Sequence, residues 1–348
     1  MTCKAITNNR HIHPNGTITP CCEWPSNIEF NPEEAAKQFA RGHIPEGCRV
    51  CLLKESTGEH SLRQRYNQLL SDTPIIEAVD LSVDNVCNLQ CLMCSSEYSH
   101  QCGHREQQFL GTRVNVSNTS SNSVYTRLDW STVTHLKLFG GEPTYSPGIR
   151  RFLDWAKDVV DFSKVDLEIV TNNTVQPEGK LDAVLRNARS LRVVVSCDGT
   201  DAMNQMIRQG TKDSHWNYWE ELTDDLYVNC TVSIYNALNQ TEFERWLTEH
   251  RPRWQLHREM VHSPAMLNIQ NMPDELKHQY NQYPMPNSVR EWMWMPGENL
   301  WDQFVTVHRA FNSIYTMNLL IVNPVLYQYI QDRPVQQHSW DQIRNGLA

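Results

Sequence analysis

Hydrophobic residues fall on two different periods in this chain, and the change of period marks out its elements. Between residues 75 and 275, short runs rich in Val, Ile and Leu alternate with stretches whose apolar residues recur every three or four positions. The runs predict strands over 76–83, 135–139, 164–171, 191–196 and 226–234, with a sixth at either 254–261 or 267–270. The stretches between them predict helices over 149–160, 180–188, 215–223 and 242–249. Strand and helix in regular succession is the pattern of βα units on a parallel sheet. Roughly 200 residues are too few for eight such units, so the expected fold class is α/β, a partial (β/α)6 TIM-like barrel.

The flanking sequence has a different texture. Residues 1–73 carry Pro, Gly and Asn turns and two short helix candidates, 32–40 and 61–70. They hold too little apolar sequence for a core of their own, which predicts a small cysteine-rich domain stapled by ligands. Residues 95–127 form a polar stretch read as an insertion. From 276 the chain predicts a C-terminal helical segment rich in Trp, Met and Tyr, with helices over 302–315 and 325–331. The expected organisation is therefore 1–73, a core over 74–275, and 276–348.

Composition narrows the chemistry. A net charge of −9 argues against a nucleic-acid or anionic-membrane surface. No uninterrupted apolar run approaches the roughly 20 residues needed to span a bilayer, so neither partner is expected. The opening MTCKAITNNR lacks the apolar core of an export signal, and a cytoplasmic protein is expected. Of the 11 cysteines, those from Cys3 to Cys94 crowd the first third of the chain. In a reducing compartment, grouped cysteines read as metal ligands before disulfides.

Cys87, Cys91 and Cys94 stand in C-x-x-x-C-x-x-C spacing directly after the first core strand. Three thiolates on one tight loop can hold three irons of a cubane cluster and leave the fourth iron open. An open iron can chelate the amino and carboxylate groups of S-adenosylmethionine (SAM) and pass an electron into its sulfonium. The other reading of the triplet is a zinc site completed by Cys102, His100 or His104. After the second core strand the chain reads LKLFGGEPTYSP. Gly140, Gly141, Glu142 and Pro143 thus lie at the C-terminal end of that strand, on the face where barrels build active sites. Paired glycines permit close backbone approach, and Glu142 can accept a hydrogen bond from an ammonium group.

On these residues the chain resembles the radical SAM superfamily. The resemblance implies that Cys87, Cys91 and Cys94 ligate a catalytic 4Fe–4S cluster and that Gly140–Pro143 binds the methionyl amino group of SAM. Met93 takes the place of the usual aromatic residue that packs on adenine. LEIVTNN at 167–173 is similar to the family's strand ending in Thr-Asn-Gly, with Asn173 where glycine is usual. VVVSCDG at 193–199 and MIRQG at 206–210 resemble its Ser-x-Asp-Gly strand and the Arg-Gly segment that follows. Ser196 and Arg208 are thereby implied as contacts to the ribose or carboxylate of SAM, with Thr171 and Asn172 nearby.

A second constellation precedes the core. Between Cys3 and Cys21 lies HIHPNGTITP, a predicted hairpin turning at Asn15-Gly16, and Cys48 and Cys51 form a C-x-x-C knuckle. Two pairs of thiolates suit either tetrahedral zinc or a fully ligated 4Fe–4S cluster. The spacing resembles the auxiliary-cluster module called SPASM, or its shorter twitch form, here placed before the barrel. Resemblance to that group implies an oxidoreductase that abstracts hydrogen from a peptide or protein substrate, supplied with electrons by a flavodoxin- or ferredoxin-type donor. The alternatives are a dehydrogenase or epimerase of a small carbohydrate or nucleoside, and a zinc-stabilised binding protein without SAM chemistry.

Overall fold

The computed structural model describes residues 2–56, 58, 60–110, 123–315 and 317–332. Its strands are β1 (Asn9–Ile12), β2 (Ile18–Thr19), β3 (Ala78–Leu81), β4 (Gln90–Cys91), β5 (His135–Leu138), β6 (Asp166–Thr171), β7 (Ser190–Ser196), β8 (Arg208–Gln209), β9 (Asp225–Val232) and β10 (Gln255–Met260). Eight of them hydrogen-bond in the order β10-β9-β7-β6-β5-β3-β1-β2, and β4 pairs with β8 separately. The pairs β1/β3, β3/β5, β5/β6 and β9/β10 are parallel. A mostly parallel sheet with intervening helices matches the partial-barrel class expected from the pattern.

By its contacts the chain divides into two compact units. The first comprises Met1–Cys87, Ser117–Thr171 and Gln176–Val193; the second comprises Asn88–Val116, Asn172–Val175 and Val194–Ala348.

Within the first unit, β1 is the first strand of the expected hairpin, and it also pairs in parallel with β3, a join to the core sheet that the sequence pattern did not reveal. The hairpin at Asn15-Gly16 forms as its turn residues require. His11 pairs with Thr19, Ile12 with Ile18, and Gly16 takes a left-handed φ of 86°. Helix Pro32–Ala40 starts on Asn31, whose side chain accepts from the Glu34 amide at 3.1 Å, with Pro32 at the first helical position. Helix Pro147–Ala156 starts likewise on Ser146, which accepts from the Ile149 amide at 3.0 Å. In-register pairing puts His11, Asp80, Lys137 and Glu168 in one row across β1, β3, β5 and β6. An ordinary barrel fills such a row with branched apolar side chains. Here the charges are paired instead: Lys137 meets Glu168 at 3.2 Å, Arg65 also reaches Glu168, and Tyr66 donates to Asp80.

The second unit has its own core, in which Tyr235, Leu276, Tyr280, Phe304, Val305 and Leu326 are buried together. Of the two candidate sixth strands, the former is real. The latter is a pair of short turns, Ala265–Leu267 and Ile269–Asn271. The polar stretch 95–127 contains the helix His100–Leu110, while 111–122 and the chain end 333–348 lie outside the described residues. No helix among the described residues is long and apolar enough to cross a membrane.

Candidate functional site

In the first unit, β3 runs into the stem of the cysteine loop, and three contacts fix that stem. Asp84 accepts from Ser146 Oγ at 2.8 Å, from the Gly148 amide at 2.7 Å and from the Val86 amide at 3.2 Å. The Glu142 amide donates to the Val86 carbonyl at 2.9 Å, so the GGEP turn is bonded directly to the stem. A Cβ on Gly141 would lie 2.3 Å from that carbonyl, and one on Gly140 would lie 2.0 Å from Ser82 Oγ. Gly140 also has a φ of 115°, which favours glycine. The paired glycines therefore serve the approach of turn to stem. Cys87, at the end of the stem, is buried.

Glu142 is 1% exposed. Its Oε1 accepts from the Thr144 amide at 3.1 Å and from the hydroxyls of Thr144 and Thr171, both at 2.8 Å. Two residues assigned to cofactor binding from separate strands are thus in direct contact. Pro143 follows in the same turn, in a buried position.

In the second unit, β4 carries Cys91 opposite Arg208 of β8. The Cys94 amide donates to the Cys91 carbonyl at 3.1 Å, which closes the C-x-x-C turn. Arg208 is buried. Its Nε lies 2.8 Å from Asp198 Oδ2, and its Nη1 approaches Cys91 Sγ at 3.8 Å. Burial pushes the Cys91 thiol up to about 11, with the Arg208 cation working against that rise. Cys102 is fully buried against the Cys91 carbonyl at 3.7 Å. Its thiol is lowered to about 7, first by a hydrogen bond from Cys94, against burial, and with help from Arg105. Met93 packs, half-buried, on the second unit's core.

Asn172 donates to Asn88 Oδ1 at 2.9 Å, and Asn88 donates to Thr174 Oγ1 at 2.8 Å, which ties β6's exit to the residue after Cys87. Asn173 has a φ of 63°. That backbone suits glycine best and asparagine next, which accounts for asparagine at this position. Ser196 lines a cavity of about 70 Å³ with Asn172, Asn204, Trp216 and Trp246. Cys197, beside it, donates to the Gly199 carbonyl at 3.2 Å, and Cys230 is buried against Gln240.

The N-terminal cysteines meet inside the first unit. Cys3, Cys21, Cys48 and Cys51 line one cavity, together with Arg63 and Tyr66. Backbone amides donate to three of the sulfurs: Ala5 and Ile6 to Cys3, Glu23 to Cys21, and Arg63 to Cys51. Burial nevertheless dominates, raising Cys3 to about 11 and Cys48 to about 12, and holding Cys21 and Cys51 up as well. Among the described residues, no group of three or more His, Cys, Asp or Glu side chains is arranged to hold a metal ion as it stands. Neutral thiols have no cause to converge until a cation displaces their protons. Amide-to-sulfur bonds, by contrast, favour the thiolate over the thiol. The donor chemistry of this cavity therefore fits a cation bound by four sulfurs.

Two participants escaped the sequence reading. Arg105 sits in a polar helix with no flanking motif, and its contacts with the Cys91 and Cys94 carbonyls appear only in three dimensions. Cys102 was expected as a buried structural thiol or a fourth zinc ligand; it is buried, and its contact with the Cys91 carbonyl is what the sequence did not announce.

Fold and site together define an α/β protein of the partial-barrel class, with sulfur donors gathered after its first core strand and again before it. No family model matches the chain, and no curated protein matches it. Solved structures similar to it include Streptococcus suis SuiB bound to precursor peptide SuiA, at 16% identity and a TM-score of 0.38, covering 73% of this chain and 62% of that one. Another is anSMEcpe with bound AdoMet, at 15% identity and a TM-score of 0.37, covering 60% of this chain and 62% of that one. The chain thus spans under two thirds of the length of either.

Proposed function

We propose that this chain is a radical SAM oxidoreductase acting on a peptide or protein substrate in the cytoplasm. The observation that carries the reading is the docking of the GGEP turn onto the stem of the three-cysteine loop through the bond from the Glu142 amide to the Val86 carbonyl. It brings together two motifs that lie 46 residues or more apart and that share one chemistry in the superfamily the sequence resembles. A 4Fe–4S cluster, when bound, would supply the electron for reductive cleavage of SAM and so the hydrogen-abstracting chemistry.

The chain's own residues supply the rest. Cys87, Cys91 and Cys94 would hold the cluster. Glu142, kept rigid by Thr144 and Thr171, presents a fixed carboxylate at the end of β5 for a cationic amino group. The glycine pair and Pro143 hold that turn, and Ser196, Asn172 and Met93 offer polar and apolar surface for the nucleoside. Arg208 keeps its charge through Asp198 and offsets the negative charge of the thiolates. Cys3, Cys21, Cys48 and Cys51 would hold a second, fully ligated 4Fe–4S cluster. Such a cluster suits the removal of a second electron, and hence dehydrogenation or cross-linking, with epimerisation as a variant.

Anaerobic purification with iron and sulfide analysis tests this. Two clusters predict about eight irons per chain. Reduction in the presence of SAM should yield 5′-deoxyadenosine, and candidate peptides should lose two hydrogens by mass. Zinc without iron, and no 5′-deoxyadenosine, would leave the zinc-stabilised binding protein as the surviving reading.

A further inference from the structure

Arg105 is 5% exposed and lies on the helix His100–Leu110. Its Nη1 donates to the Cys91 carbonyl at 2.9 Å and to that of Gln90 at 3.4 Å; its Nη2 donates to the Cys94 carbonyl at 2.8 Å. The face of the guanidinium rests on the Phe311 ring, 4.9 Å from its centroid. Tyr315, just beyond the same helix Trp301–Ile314, donates to Gln90 Oε1 at 2.8 Å and so closes the back of the clasp. Among the described residues, no carboxylate forms an ion pair with Arg105.

A buried cation satisfied only by neutral acceptors is costly, and removing the solvent that would screen it makes a nearby anion valuable. Beside Arg105 lie Cys102, the Tyr315 phenol and Cys94, with Cys91 one carbonyl away. Geometry and charge thus point the same way. The fork spans the two carbonyls on either side of the C-x-x-C turn, a match that a planar, five-donor cation makes and an ammonium does not.

We propose that Arg105 is a positioning residue for the three-cysteine loop: its fork sets the turn that aims Cys91 and Cys94, and its charge offsets the cluster they hold. This rests on the reading of the loop as a cluster site.

The test uses the full-length protein, purified anaerobically as wild type, R105K, R105M and F311L, with circular dichroism to confirm the fold. Iron retention against a chelator and the midpoint potential of the loop cluster are measured. R105M should retain loop iron about 10–100-fold more weakly, the usual loss when a group that orients metal ligands is removed, and its potential should move to more negative values. R105K should lose retention yet keep the potential, because charge remains and the fork does not. F311L, which leaves the guanidinium in place without its platform, should show a smaller loss of retention and keeps the test open should R105M not fold. A folded R105M with wild-type retention and wild-type potential overturns the role given to Arg105. A wild type that binds no iron overturns the reading of the loop itself, so the two failures are distinguishable.

Discussion

The two cysteine sites are built on opposite principles. The N-terminal four line a cavity walled by Ala5, Ile6, Pro20 and Tyr66, and three of their sulfurs receive backbone amides. Each thiol there is pushed upward chiefly by burial. In the C-x-x-x-C-x-x-C loop it is the peptide carbonyls that are gripped, by Arg105, while Arg208 stands by the Cys91 sulfur and Cys94 stays half-exposed. A site held by its sulfurs is suited to closing on a metal and keeping it. A site held by its main chain, with cations behind it, leaves the sulfur side open to a cofactor. Four donors against three is the sequence-level form of the same difference.

The largest expected effect separates the sites by substitution. Replacing Cys87, Cys91 and Cys94 with Ala should abolish 5′-deoxyadenosine formation and leave about four irons per chain, those of the N-terminal site. Replacing Cys3, Cys21, Cys48 and Cys51 should also leave about four irons, yet 5′-deoxyadenosine should still form, now without peptide oxidation. Chromatographic quantitation of 5′-deoxyadenosine beside iron analysis reads both outcomes. If the N-terminal variant lost cofactor cleavage as completely as the loop variant, the sites would not be separable and the contrast drawn above would fail.

How much of this was legible in the chain follows from which groups the fold uses. The helix that starts on Asn31-Pro32 announces itself, because cap and proline act locally, whereas the one that starts on Ser146-Pro147 was expected only from 149. The Val- and Ile-rich runs that become β6, β7 and β9 are equally plain, since a buried apolar residue recurs at every second position of β7 and β9. The hairpin of β1 was legible in its turn, but its place in the core sheet was hidden for the opposite reason. The strand carries Asn9 and His11, with His13 just beyond, all buried, and polar residues give no sign of a buried parallel partner until β3 supplies Asp80 and β5 supplies Lys137. Helix His100–Leu110 was hidden because its buried face is Cys102 and Arg105 in place of aliphatic residues. At the site, motif spacing located the cysteines and the GGEP turn. The use of the glycines against Ser82 and Val86, and the contact of Thr171 with Glu142, depend on strand order, which spacing does not encode.

A smaller effect sets the two units against each other in acid. In the second unit, burial holds His308 down to about 4, with Arg309 adding to it. A histidine depressed in the folded state contributes stability that is complete above its ordinary value of 6.5 and is lost as pH falls from there toward 4. In the first unit, burial would raise Glu168, but Lys137 and Arg65 outweigh it and hold the carboxyl at about 2. Its contribution is complete above its ordinary value of 4.5 and fades only as pH falls toward 2. Shifts of this size correspond to something on the order of 3 kcal/mol each. Hydrogen exchange, corrected for intrinsic rates, should therefore show helix Trp301–Ile314 loosening between pH 6.5 and 4 while β3, β5 and β6 remain protected. E168Q, which strands Lys137 and Arg65, should destabilise the first unit by about 3–5 kcal/mol at neutral pH and erase the lower window. Loss of the β3–β6 protection before that of the helix would contradict this order.

The smallest expected effect bears on the N-terminal site alone. Helix Leu62–Leu69 carries Arg63 at the four-cysteine cavity, Arg65 on Glu168 and Tyr66 on Asp80. It begins in a reciprocal cap: Ser61 Oγ accepts from the Gln64 amide at 3.2 Å, and Gln64 Oε1 accepts from the Ser61 amide at 3.0 Å. Ser61 also donates to Glu55, the carboxylate that holds Arg63 through Nε at 2.9 Å. S61A should cost about 1 kcal/mol in denaturant unfolding and lower the occupancy of the N-terminal metal, with the loop's iron and 5′-deoxyadenosine yield unchanged. S61T, which keeps the hydroxyl, should restore both stability and occupancy. Because Ser61 touches neither cysteine set, an equal loss of iron from both sites would mean that the cap supports the fold in general. A loss confined to the N-terminal site would show that this helix holds the sulfurs through Arg63, as the geometry requires.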